Sequence, residues 1–318
     1  MPPCPAPRIA ALGISSWDTF LVVDEYPATG SFAVVEQSAT FPGGTTANNT
    51  VALARLGARV SLVSLVGDDE AGRAVRSALE GEEIDLSMLG VKSGLPTDAS
   101  TVVVSRQARD RTIYWHQGAR LVRGDRLDVT AIFAHDLVII DTDDLPLRRF
   151  LVDLPAHTAP RARLLGTLTY LSDSGATDAL TVALGHDAVV GNERELCQIV
   201  GLQDFEGALI RMQQAMRTSN LRACAMTRGA TGATIFTHGE RWDEPACSVD
   251  VVDTTGAGDA FAGGIAYGLA LRWEWPRIAR FANAVAALST RALGAQTALP
   301  TLDEVASLLG QDRATLAP

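Results

Sequence analysis

Short apolar runs alternate with amphipathic segments along most of this chain, and few architectures satisfy that order. RIAALGI, RVSLVSLVG, DLVIID, RARLLGTL, DAVVG and RACAMTR read as buried strands. TTANNTVALARLG, DEAGRAVRSALEG, FEGALIRMQQAMRT, GDAFAGGIAYGLALR and WPRIARFANAVAALSTRAL read as helices. Strands of this kind need cover on both faces. The pattern therefore predicts an α/β fold, a three-layer α/β/α sandwich around a mostly parallel central sheet. With 318 residues, 47% of them hydrophobic, the chain is long enough for one large core. It shows no internal repeat and no low-complexity linker.

Two segments break the rhythm, Thr19–Thr40 and Ala99–Trp115, which read as strands and hairpins without intervening helices. In the second, QARD sits between β-rich arms as a hairpin tip. Paired with each other, the two segments make a small β-sheet lid inserted at about 19–40 and 99–115 of a single domain, over a site at the strand ends. Read separately, they make an antiparallel edge of the main sheet.

Several function classes are excluded early. A net charge of −10 argues against broad affinity for nucleic acid or acidic membrane surfaces. No apolar run is long enough to cross a bilayer, and the N-terminus lacks the pattern of a signal peptide. Cys4, Cys197, Cys224 and Cys247 are far apart, so a reduced, cytoplasmic setting fits them better than a disulfide framework. Lys92 is the only lysine. It lies in GVKSGLP, which is neither a P-loop nor the third strand of a protein kinase. His116, His135, His157, His186 and His238 show no metal-binding spacing.

The stretch VVDTTGAGDAFAGG, Val251 to Gly264, carries the strongest chemistry. Gly256, Ala257 and Gly258 turn into a helix, where backbone N–H groups and the helix dipole make an anion site. Asp259 follows directly. An anion cradle beside a base is what phosphoryl transfer requires, although a glycine turn with a capping aspartate explains the same residues. In FPGGTTANNTVALARLGA, Gly43 and Gly44 permit close backbone approach and Asn48 can hydrogen-bond hydroxyls. A plain helix start capped by Thr45 or Thr46 is the alternative. Asp18 follows the first strand, either at a ligand-binding strand end or in an exposed loop. Asn192 and Glu195 in VVGNEREL stand at a helix start, as oxygen groups for Mg²⁺ held through water or as a cap. AMTRGATGA reads as a phosphate loop or a hairpin turn.

The order of these motifs resembles that of the ribokinase-like (PfkB) family of carbohydrate kinases, over nearly the whole chain from GISSWD to GAQTALP. DTTGAGD is its specific element. The resemblance implies an ATP-dependent phosphotransferase acting on a hydroxyl of a small sugar, with a nucleoside, sugar acid or sugar phosphate as the alternative acceptor. A catalytically silent sugar- or nucleotide-binding regulator is a more distant reading. Position by position, it implies Asp259 as catalytic base and Gly256, Ala257 and Gly258 as anion hole. Asp18, Gly43, Gly44 and Asn48 match sugar contacts. Asn192 and Glu195 match the element associated with Mg²⁺ and phosphate, and Thr227, Gly229 and Asn283 match the ATP site. Asp253 and Thr255, with the segment around Gly294, match a monovalent-cation site that holds potassium in some members. The lid forms a dimer interface in many members, which implies a homodimer. Two departures stand out. Thr45 and Thr46 replace the lysine and glycine typical of ribokinases themselves, which bears on ribose specificity. Ala298 stands where the family serine closes the cation loop, which weakens the case for potassium.

Overall fold

The computed structural model describes residues 5–108, 110–154, 162–172 and 176–318. Its main sheet has nine strands: β1 (Arg8–Gly13), β4 (Arg59–Gly67), β5 (Leu89–Lys92), β8 (Leu137–Asp141), β9 (Arg163–Thr167), β10 (Ala188–Asn192), β11 (Ala223–Thr227), β12 (Ala233–Phe236) and β13 (Arg241–Glu244). Their order is β13-β12-β11-β10-β9-β8-β1-β4-β5. All neighbours pair parallel except β12, which is antiparallel to both β11 and β13. AMTRGATGA is thus a hairpin: Gly229–Thr231 makes one 3₁₀ turn between β11 and β12.

Alternate residues of the central strands belong to different cores, which is why these strands read as unbroken apolar runs. Ile9 and Ala11 of β1, and Leu137 and Ile139 of β8, pack into one layer. Ala10, Leu12, Val138 and Ile140 pack into the opposite one. The first layer holds α1 (Thr45–Arg55), α8 (Ala257–Ala270), α9 (Trp275–Ser289) and α10 (Leu302–Leu309). The opposite layer holds α3 (Val129–Phe133), α4 (Leu145–Asp153), α5 (Ala176–Leu184), α6 (Glu193–Val200) and α7 (Phe205–Met216). Carboxylates set several helix starts by accepting from first-turn amides: Asp69 for α2 (Glu70–Glu80), Asp144 for α4 and Asp204 for α7.

A separate four-stranded sheet, in the order β3-β2-β6-β7, is built from β2 (Ser16–Val23), β3 (Gln37–Gly43), β6 (Ala99–Ser105) and β7 (Asp110–His116). The two helix-free segments therefore pair with each other, through parallel strands β2 and β6, and not as an edge of the main sheet. The strands run slightly beyond the expected segments, from Ser16 to Gly43 in the first. Asp18 consequently lies within β2, in register with Phe41, and not in a loop. Arg109, at the expected hairpin tip, and His157 lie outside the described residues, as does Cys4. Cys197, Cys224 and Cys247 are free thiols. Among the described residues no helix is long and apolar enough to cross a membrane.

Candidate active site

The strand order reverses at β1. The chain moves from β1 outward to β4 and β5, then returns to β8 on the other side of β1. Open sheets bind ligands beyond the carboxyl ends of their strands at such a point. Four structures meet there: the ends of β1 and β8, the start of α1 and the start of α8.

Gly44 brings α1 in. Its φ is +91°, and a Cβ would lie 2.6 Å from the Ile14 carbonyl oxygen, so only glycine lets the chain pass this close to the turn after β1. Gly43 beside it leaves room for the Asp18 carboxylate, which a Cβ would strike. Asp18 accepts from the Ser100 amide at 2.8 Å, tying β2 to β6. Burial and the neighbouring Asp98 raise its pKa to about 6 against the hydrogen bonds from Ser16 and Ser100.

At the other wall, Gly256 opens α8 with φ +78°. No side chain caps this helix. The Ala257 amide donates back to the Thr254 carbonyl at 3.2 Å, and the helical ladder begins with Ala260 donating to Gly256. The Gly258 and Asp259 amides are therefore the ones left at the helix mouth without a helical partner. A Cβ on Gly258 would meet only open space. Of the three residues expected to form the anion hole, Gly258 is exposed, whereas the Ala257 amide already has an acceptor.

Asn48 joins the two walls. Its Nδ2 donates to Asp259 Oδ2 at 2.7 Å, and its Oδ1 accepts from Gln296 Nε2 at 2.9 Å. Asp259 is half-buried. Burial raises its pKa to about 8, and the charges of Asp141 and Glu195 add to the rise; the Asn48 bond and Arg111 pull it down. Glu195 and Asn192 make a reciprocal capping box at α6, with both bonds at 2.9 Å. The cap is thus real, and it also fixes a carboxylate within the field of Asp259. Thr227 lies beside Asn192 in the β10–β11 register, and Gly229 follows it with φ +54°. Asn283 is buried on α9 and donates to the Pro245 carbonyl. Asp253 accepts from the Thr255 amide and hydroxyl (2.9 and 2.7 Å) and from the Gly294 amide (2.9 Å), which locks the loop before α8 to the segment before α10.

Sequence reasoning missed Asp141 and Gln296. Asp141 is fully buried at the end of β8 and accepts from Thr46 Oγ1 (3.0 Å) and from Thr167 Oγ1. Thr46 in turn accepts from the Ile14 amide at 3.0 Å. Thr46 therefore positions the first turn of α1 and does not cap it. The rule applied to Asp18, a carboxylate at the end of an apolar strand, would have found Asp141. Trp115 is held by its Nε1–H on Asp98 (2.7 Å) and packs on Tyr170, ring centroids 5.9 Å apart.

The description pfkB family carbohydrate kinase matches residues 6–302. The chain belongs to the pfkB family of carbohydrate kinases. Among its pfkB relatives, the aminoimidazole riboside kinase of Salmonella typhimurium is 29% identical over 299 residues, covering 84% of this chain and 88% of that one. The ATP-dependent ribose-1-phosphate kinase of Halopiger xanaduensis is 29% identical over 311 residues, covering 96% and 98%. Among solved structures, a ribokinase from Thermotoga maritima superposes with a TM-score of 0.80 at 22% identity, covering 96% and 100%. Arabidopsis thaliana ribokinase, solved with ribose and ATP, gives 0.77 at 20% identity, covering 96% and 100%. The pfkB assignment and the ribokinase-like fold thus agree with the motif order.

Proposed function

We propose that this pfkB chain is an ATP-dependent kinase that phosphorylates a hydroxyl of a small sugar or riboside, with Asp259 as its base. The observation that carries the reading is the Asn48–Asp259 hydrogen bond in the first turn of α8, which supports a carboxylate beside the helix mouth where an anion would bind. In this reading Asp259 orients the attacking hydroxyl and takes its proton, while the Gly258 and Asp259 amides bind the oxygens of the transferred phosphoryl. Asp18, Gly43, Gly44 and Asn48 bind the acceptor hydroxyls. Asn192, Thr227, Gly229 and Asn283 belong to the ATP side.

The charges suit Mg²⁺–ATP. The carboxyl groups of Asp141 and Glu195 lie within the field of Asp259, a setting that a bound cation would ease. Mg²⁺ keeps most of its waters and takes few protein ligands, so Glu195 would act on it through bound water. When bound, Mg²⁺ neutralises charge on the phosphates. Asp253 and Thr255 are the place for a monovalent cation; a rate in potassium no higher than in choline would remove that part of the reading.

The small sheet is read as a lid whose closure excludes water. We also assign it the interface of a homodimer, because Tyr114 is exposed on β7, and Phe32 and Val34 are 90% and 73% exposed in the connection between β2 and β3. Sedimentation equilibrium tests this: a concentration-independent monomer contradicts it.

The functional test is ADP formation with Mg²⁺–ATP against pentoses, hexoses, ketoses, ribosides, sugar acids and sugar phosphates. Turnover with one acceptor class names the substrate. No turnover with any acceptor, with ATP bound, contradicts the reading in favour of a silent binding protein.

A further inference from the structure

The arginines near the small sheet are not equivalent. Arg106 pairs with Glu36 at 3.0 Å and Arg120 with Asp143 at 2.8 Å. Arg111 of β7, in register with Val104 of β6, forms no salt bridge among the described residues. Its Nη1 donates to Thr254 Oγ1 at 3.1 Å, and its Nε is shielded from solvent with no acceptor among the described residues. A guanidinium is a fixed fork of five donors, and a shielded donor without an acceptor is unfavourable unless something arrives to accept from it. Thr254 belongs to the loop that leads into Gly256, so the guanidinium stands at the rim of the anion cradle. It also lies within the field of Asp259.

We propose that Arg111 is a catalytic residue, carried by the small sheet to the mouth of the Gly256–Gly258 turn, where its guanidinium binds the phosphoryl group in transit. This rests on the kinase reading above. In the step, the acceptor oxygen attacks the γ-phosphorus and a new P–O bond forms. The bond to the bridging oxygen breaks and its electron pair leaves with ADP, while the hydroxyl proton passes to Asp259. Charge on the equatorial oxygens then meets the Gly258 and Asp259 amides on one side and Arg111 on the other. The same positive charge offsets Asp141 and Glu195, the carboxylates that face Asp259 from β8 and α6, beside neutral Asn48 on α1. Because β7 belongs to the small sheet, the phosphoryl site is complete only with that sheet seated.

The test compares Arg111→Gln, Arg111→Lys and Asp259→Asn with the unaltered enzyme, using Mg²⁺–ATP and the best acceptor from the panel above. Arg111→Gln should lower kcat by about 100-fold or more, leave the acceptor KM nearly unchanged and move the acid limb of kcat/KM to higher pH. Arg111→Lys keeps the charge, so it should keep the acid limb in place and retain more of the rate. Equal losses in the two variants would overturn the proposal, because charge would then not be the working feature. A loss confined to the acceptor KM would overturn it too, placing the guanidinium on an anionic acceptor. Full Arg111→Gln activity beside an inactive Asp259→Asn sinks the proposal and spares the kinase reading. Full activity of Asp259→Asn sinks both.

Discussion

Asn48 holds Asp259 with one end of its amide and Gln296 with the other, at 2.7 and 2.9 Å. The amide nitrogen faces Asp259 and the amide oxygen faces Gln296. A helix start, a catalytic candidate and the segment before α10 are thereby set in one line.

Removing that amide should weaken the base. Asn48 lowers the pKa of Asp259, and a hydrogen bond to a charged group contributes about 1.5–3 kcal/mol. Asn48→Ala should therefore lower kcat/KM at neutral pH by about tenfold or more and push the acid limb upward. Gln296→Leu acts one bond further away and should do the same more weakly. Matching pH profiles for Asn48→Ala and the unaltered enzyme would show that the amide only fills space.

The raised pKa of Asp259 makes activity depend on pH well above the usual carboxylate range. A base works only when ionised, so with a pKa of about 8 activity should climb through neutral pH in the absence of bound cations. Mg²⁺–ATP brings positive charge and should draw the limb lower in kcat than in kcat/KM for the acceptor. A rate–pH profile flat from pH 5 to 9 speaks against Asp259 as base.

The same shift has a stability sign. The folded protein holds the Asp259 proton up to about pH 8, whereas the unfolded chain releases it near pH ~4. The stabilising contribution is therefore complete at low pH and is lost as pH rises through the folded value. Asp259→Asn, which cannot ionise, should melt higher than the unaltered protein at pH 9 and about equally at pH 4. Thermal melts at the two pH values check this, and a lower melting temperature for the variant at pH 9 refutes it.

The two glycines of the cradle should separate folding from chemistry. Gly256 has φ +78° and a Cβ there would lie 2.7 Å from the Ala295 Cβ. Gly256→Ala should destabilise by at least about 1–3 kcal/mol. A Cβ on Gly258 meets nothing within 4 Å, so Gly258→Ala should fold normally yet lower kcat, since the methyl group intrudes where the phosphoryl would sit. Normal turnover by a well-folded Gly258→Ala would move the anion site elsewhere.

Much of this was legible in the sequence because it is local. The apolar runs of β1 and β8 announce burial on both faces, and the turn through Gly256 and Gly258 announces the start of α8. What sequence did not disclose is long-range. Asp141 looks like any strand-end carboxylate until Thr46 and Thr167 close on it. Gln296 gains its role from Asn48, and Arg111 from Thr254. Asp18 reads as a strand-end or a loop carboxylate because nothing local reveals that it lies within β2, which pairs with β6. Capping at Asn192 and Glu195 satisfies local rules fully, so sequence alone could not separate a cap from a phosphate-side group.

The most direct measurement is turnover by Asp259→Asn with ATP affinity determined in parallel by calorimetry. The account predicts an ATP Kd within about threefold of the unaltered enzyme and a kcat lower by about 1,000-fold or more, roughly 4 kcal/mol of transition-state stabilisation. An Asp259→Asn enzyme that binds ATP and retains kcat within about tenfold, roughly 1.4 kcal/mol, would contradict it.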